Sequence, residues 1–178
     1  MGRDGVKRVG VIAKPHAQGL TTLLHKLLPW CDQRQVEVFL DTETAASISH
    51  PNGYLRTAIP GLVDFIMVLG GDGTLLSVTR LLGQHNIPIL GVNMGSLGFL
   101  TETTTSEVFD QLEKVLDGDF VLQDRIRLTT CIHRQEDHLP QPFVLNDVVI
   151  NKGALARILS LVLRVSTTLL PRQSPIVV

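Results

Sequence analysis

Cysteine is scarce in this 178-residue chain: Cys31 and Cys131 stand far apart, with no CxxC spacing and no metal-ligand cluster around them. A disulfide framework and a thiolate metal site are therefore not expected, and the pattern fits a reducing compartment. Aromatic residues make up 4% and Trp30 and Tyr54 are each the single residue of its type, so no row of stacking rings is available. Charge of one sign is also missing, with 16 Lys and Arg against 17 Asp and Glu, a net −1. Without a basic stripe or interleaved aromatics, a nucleic-acid partner is not expected. No apolar stretch approaches the ~20 residues of a membrane span. The leading MGRDGVKRVGVIAKP is interrupted by Lys14 and Pro15 too early for a signal peptide, and Val6 stands where a myristoylation pattern needs Ser or Thr. The expectation is a cytoplasmic protein with no membrane contact.

What is present is a globular composition, 44% hydrophobic and 19% charged, long enough for one domain and part of a second. Val9 to Ala13 reads as a buried strand, followed by a helical stretch with Leu20, Leu23, Leu24, Leu27 and Leu28 on one face, which Pro29 is expected to discourage from continuing. VEVFLD reads as a second strand, Thr42 to Gly61 as a long connection, and LVDFIMVL (62–69) as a third strand buried on both faces. A helix with Leu75, Val78 and Leu82 on one side ends near Gly83, and IPILGV (87–92) is a fourth strand. Residues 104–117 carry a capping-box pair, Thr104 and Glu107, and an apolar face, with Gly118 closing the helix. Alternating strands and helices predict an α/β fold with a Rossmann-like open parallel sheet. Beyond residue 120 the texture changes to β-like runs separated by polar turns, RIRLTTCIHRQ, FVLNDVVIN and ARILSLVLRV. The expected organisation is a nucleotide-binding α/β domain over 1–120 and the beginning of an antiparallel β-rich domain over 121–178.

Three segments carry chemistry. LGGDGTLL (69–76) places Asp72 among Gly70, Gly71 and Gly73, where a buried strand hands over to a helix. Such a corner offers bare N–H groups and a helix dipole to phosphates. An anion there is misplaced unless it takes a proton from a hydroxyl or holds a cation that the phosphates share. A lone Asp-Gly is ordinary turn chemistry; the full GGDGT between strand and amphipathic helix favours phosphate chemistry. No GK[ST] follows, and no GxGxxG is present. GVNMGSLGFLTE is a second glycine corner, in which Gly95 and Gly98 allow a sharp reversal and Phe99 either faces a base or lies in the core. In LNDVVINKGALAR, Asn146 and Asp147 interrupt an apolar strand and need partners, such as a ribose diol or the local backbone. Arg157 is a candidate for a phosphate or carboxylate contact, or a solvated surface arginine.

Together, GGDGT at 70–74, NMGSLGFLTE at 93–102 and LNDVVINKG at 145–153 resemble the NAD kinase family over residues 7 to about 165. GGDGT alone is shared with diacylglycerol and sphingosine kinases and, in similar form, with phosphofructokinases. The resemblance implies transfer of the terminal phosphate of ATP, or of polyphosphate, to the 2′-hydroxyl on the adenosine side of NAD. It implies Asp72 as proton acceptor, Gly73 with Asn146 and Asp147 on NAD, Phe99 near the adenine and Arg157 in the nucleotide site. It also implies the GGDG glycines on ATP phosphates with Mg²⁺ as counter-ion. Family members continue through a longer β-rich domain and generally assemble as homo-oligomers. Here the sequence departs from that pattern after about residue 165 and reads STTLLPRQSPIVV, so the second domain is expected to be incomplete. A catalytically incompetent nucleotide-binding fragment, or a lipid or sugar kinase sharing GGDGT, are the alternatives.

Overall fold

The computed structural model describes residues 5–96, 98–129, 133–134, 137–138, 143–145, 149 and 173–177. Strands β1 (Arg8–Ala13), β2 (Glu37–Leu40), β3 (Phe65–Gly70) and β4 (Ile89–Asn93) pair in parallel in the order β2-β1-β3-β4. The alternation of their side chains sorts the core into two faces. Val9, Val11 and Ala13 of β1 and Phe65, Met67 and Leu69 of β3 face one way, against the helices α1 (Leu20–Gln33) and α4 (Val108–Asp117). Ile12, Ile66 and Val68 face the other way, against α3 (Asp72–Leu81) with Leu75, Val78 and Leu82. Both faces are covered, which is why the strands read as near-continuous apolar runs. Because β1 runs through α1 to one side and β3 runs through α3 to the other, the order reverses between β1 and β3. Their carboxyl ends lie side by side, with the Lys14 N–H donating to the Leu69 carbonyl at 2.7 Å. Ligands of open α/β sheets sit at such a reversal.

Three local expectations are revised in the structure. Pro29 lies inside α1 rather than ending it. Pro29 and His25, whose carbonyl loses its donor, are both exposed, while the buried Cys31 and the Trp30–Phe109 ring contact at 5.7 Å hold the last turn. The connection from Thr42 contains a further helix, α2 (Thr42–Ser47), capped by Asp41, whose side chain accepts from the Thr44 N–H at 3.0 Å. The Thr104–Glu107 bonds form, with the Glu107 carboxylate accepting from the Thr104 N–H at 2.9 Å and from its hydroxyl at 2.6 Å. They close the turn ahead of α4, after a short strand β5 (Thr103–Thr104) beside β4.

After α4 three antiparallel pairings occur among the described residues. β6 (Leu122–Ile126) pairs with β11 (Gln173–Val177), β7 (Leu128–Thr129) with β10 (Phe143–Val144), and β8 (His133–Arg134) with β9 (Asp137–His138). The final residues, unpatterned in sequence, thus include a strand. It also meets β4 in parallel at Ile176–Ile89, so β11 and β6 extend the first sheet rather than standing apart from it.

Candidate active site

β3 ends on Gly70, Gly71 is the N-cap residue of α3, and Asp72 opens its first turn. The N–H groups of Asp72 and Gly73 have no intrahelical acceptor at this end. A Cβ on Gly71 or Gly73 would meet nothing within 4 Å, so their backbone is open to approach from outside. Gly70 differs: it is buried, and a Cβ there would lie 2.7 Å from the Cβ of Thr74. Its small size seats Thr74, and the open part of the corner is Gly71 to Gly73.

The Asp72 carboxylate does not cap its own helix. It crosses to the second glycine corner, where Oδ2 accepts from the Phe99 N–H at 2.9 Å and Oδ1 accepts from the N–H groups of Leu100 at 3.0 Å and Thr101 at 3.1 Å. The Thr101 hydroxyl donates to the same Oδ1 at 3.1 Å. Burial pushes the carboxyl pKa up, but the Phe99 and Leu100 N–H groups and the Thr101 hydroxyl and N–H outweigh it and hold it below the ordinary value. Asp72 is therefore ionised at neutral pH. The corners are tied again by the Met94 N–H, which donates to the Gly70 carbonyl at 2.9 Å.

The second corner is organised from Asn93, nearly buried at the end of β4. Its Oδ1 accepts from the Gly95 N–H at 2.8 Å, and its Nδ2 donates to the Ser96 carbonyl at 2.7 Å and to the Thr101 hydroxyl at 3.1 Å. Neither Gly95 nor Gly98 has a positive φ, so neither glycine is there to supply left-handed backbone. Gly98 serves a different end, because a Cβ there would collide with the Asp72 carboxylate. The ring of Phe99 is 93% exposed beside that carboxylate, not part of the core.

The structure thus brings Gly70, Gly71, Asp72, Gly73 and Phe99 together at the carboxyl ends of β3 and β4. Asn146, Asp147 and Arg157 lie outside the described residues. Gly98 as a contact residue and Thr101 were not singled out from the sequence; the polar, β-branched Thr101 just beyond an apolar GFL was the signal. A cavity of about 540 Å³ adjoins Asn93–Gly95 on the α1 and α4 side of the sheet, with Lys26 and Gln18 in its lining. Asp72 is not among the residues that line it. Among the described residues no group of three or more His, Cys, Asp or Glu is placed to hold a metal ion, and no helix is long and apolar enough to cross a membrane.

The family model described as the ATP-NAD kinase N-terminal domain matches residues 9–120. The NAD kinase of Syntrophotalea carbinolica is 45% identical over 93% of this chain, and that of Geobacter sulfurreducens 43% identical over 90%. The chain spans 58% and 57% of the length of these two relatives. A solved structure of yeast NADH kinase complexed with NADH superposes with a TM-score of 0.70 at 19% identity, covering 80% of this chain and 47% of that one, a likeness of fold.

Proposed function

The chain belongs to the NAD kinase family, and from that premise we propose that it transfers the terminal phosphoryl group of ATP, or of polyphosphate, to the 2′-hydroxyl of the adenosine ribose of NAD. The observation that carries this reading is the Asp72 carboxylate. It is ionised at neutral pH, sits at the junction of two glycine corners, and has one oxygen, Oδ2, with a single donor among the described residues. Family names agree, since the curated relatives are NAD kinases rather than lipid or sugar kinases.

In this reading Asp72 Oδ2 accepts the proton of the attacking hydroxyl and aims its oxygen at the phosphorus. A carboxylate held below its ordinary pKa is a weak base, so alignment contributes more than proton removal, in keeping with the loose transition states of phosphoryl transfer. The open N–H groups of Gly71, Asp72 and Gly73 cradle phosphate oxygens, and the α3 dipole adds to them. Gly70 acts indirectly, as the seat for Thr74. Mg²⁺, brought in with ATP as part of the substrate, would supply neutralisation of the phosphate charge there. Its arrival with the nucleotide fits a corner whose one carboxylate already accepts four hydrogen bonds.

Phe99, Gly73, Asn146 and Asp147 are assigned to NAD, and Arg157 to a phosphate or carboxylate of the nucleotides. Residues 1–120 are assigned to nucleotide binding and 121–178, whose strands β6 and β11 continue the same sheet, to a β-rich NAD-binding part. A cytoplasmic location completes the proposal, with homo-oligomeric assembly an expectation for the family rather than for this chain.

The test is a coupled assay with ATP, Mg²⁺ and NAD that follows NADP, using the chain and its Asp72→Asn variant. NADP formation that falls by about 10²–10⁴-fold in the variant, with NAD affinity changed by no more than a few fold, is the expected result. Near-normal turnover by the variant removes the base assignment. Binding of NAD without any NADP from the unsubstituted chain supports the incompetent-fragment alternative.

A further inference from the structure

We propose that Thr101, held by Asn93, is the positioning residue that reserves Oδ2 of Asp72 for the acceptor hydroxyl. The inference rests on the proposed kinase reading and names how the carboxylate is aimed. Thr101 is fully buried and Asn93 is 5% exposed, so their hydrogen-bond capacities are met within the protein.

The donor and acceptor roles follow from the atoms themselves. The Gly95 N–H can only donate, which identifies its partner on Asn93 as Oδ1; the Ser96 carbonyl can only accept, which identifies its partner as Nδ2. Nδ2 then donates to the Thr101 hydroxyl oxygen. With a lone pair taken by that donor, the hydroxyl directs its single proton to the ionised Asp72 at Oδ1. The result is a one-way chain from Asn93 through Thr101 to Asp72.

That chain makes the two carboxylate oxygens unequal. Oδ1 takes three donors, the Leu100 and Thr101 N–H groups and the Thr101 hydroxyl, and is full for practical purposes. Among the described residues Oδ2 takes one, the Phe99 N–H, beside the exposed Phe99 ring. Rotating the carboxylate would break bonds to both oxygens. The methyl of Thr101 is placed by Gly91 of β4, where a Cβ would lie 2.9 Å from Thr101 Cγ2. Asp72 takes part in none of the ion pairs among the described residues, so its neighbours in this chain act through hydrogen bonds.

Thr101→Val keeps the shape and the methyl but removes the hydroxyl; Thr101→Ser keeps the hydroxyl; Thr101→Ala removes both hydroxyl and methyl. In the NADP assay Val and Ala are expected to lower kcat by about tenfold or more with KM for NAD within about threefold, and Ser to restore it. The acid limb of the kcat profile moves to higher pH in Val and Ala and returns in Ser, because a donor to the charged form has been lost. The same shift is read without turnover by a ¹³C NMR titration of the Asp72 carboxyl in all four proteins. Kinetics and titration that are identical in Thr, Val and Ala overturn the proposal. A chain that makes no NADP sinks the kinase reading, while the titration still decides the positioning role. If Val fails to fold, the comparison of Ala with Ser decides it.

Discussion

Gly98 leaves no room for a side chain because the Asp72 carboxylate occupies the space where its Cβ would stand, 26 positions along the chain from the acid. Two glycine-rich turns on neighbouring strands are thereby closed onto each other, and the acid of the first is oriented by the backbone of the second. Gly98→Ala is expected to push the second corner off Asp72 and to lower turnover by about 10²-fold. Gly95→Ala, where a Cβ meets nothing within 4 Å, is expected to stay near wild type. Steady-state kinetics of the pair checks this; equal behaviour of the two variants would contradict it.

Gly70 and Gly73 share a motif but not a role. At Gly70 an added Cβ presses on Thr74, so Gly70→Ala is expected to cost about 1–3 kcal/mol of stability in urea unfolding. At Gly73 the first helical turn has open space, so Gly73→Ala is expected to leave stability unchanged or slightly raised. On the proposed reading its methyl nevertheless intrudes where phosphates approach, and transfer is expected to fall by about tenfold or more. Stability and turnover are thus separated by two substitutions three residues apart.

Asp41 anchors the stretch that follows β2. It is fully buried, caps α2 through the Thr44 N–H and accepts from Arg56, whose guanidinium also reaches the Ala13 carbonyl at 3.2 Å and Glu43 at 2.8 Å. Asp41→Ala removes a cap and one half of a largely buried pair, and is expected to cost about 2 kcal/mol or more. Glu43→Ala, at the exposed end of the same arginine, is expected to cost under ~0.5 kcal/mol. Chemical denaturation of both variants measures the difference.

Asp64 sets an acid dependence of stability. Burial pushes its carboxyl up, but the Arg8 guanidinium and the N–H groups of Lys7 and Arg8 outweigh it and hold the pKa below its ordinary 3.8. A carboxyl depressed in the folded state stabilises above its unfolded value and loses that contribution as pH falls through the folded value. Asp64→Asn is therefore expected to be less stable than wild type at pH 7. The gap closes as pH drops below about 4. Thermal melts from pH 7 to pH 2 follow it, and a gap that is constant over this range would contradict the assignment.

The sheet was legible because its signals are local. Val9 to Ala13 and Phe65 to Leu69 are apolar at successive positions, as strands covered on both faces must be, and Gly118 closes α4 in the left-handed conformation that glycine adopts without strain. GGDGT was legible for the same reason: strand, glycines, acid and helix are consecutive. Pro29 misled, since its local cost is real but is offset by Cys31 and Trp30 packing that no window of sequence displays. Strand β11 was hidden because Gln173–Val177 owes its pairing to β6, some fifty positions earlier.

From the amino-acid sequence alone came the order of elements, the two glycine corners and the choice of Asp72 as the candidate reactive acid, all carried by neighbours along the chain. Tertiary structure alone decided what Asp72 touches. Its four donors come from Phe99, Leu100 and Thr101, 27 to 29 positions away, and reach it only because β3 and β4 pair with Gly70 beside Asn93. Periodicity reports which face a residue turns to the core. The direction in which a carboxylate is held depends on backbone donors that only the folded sheet brings within hydrogen-bond range.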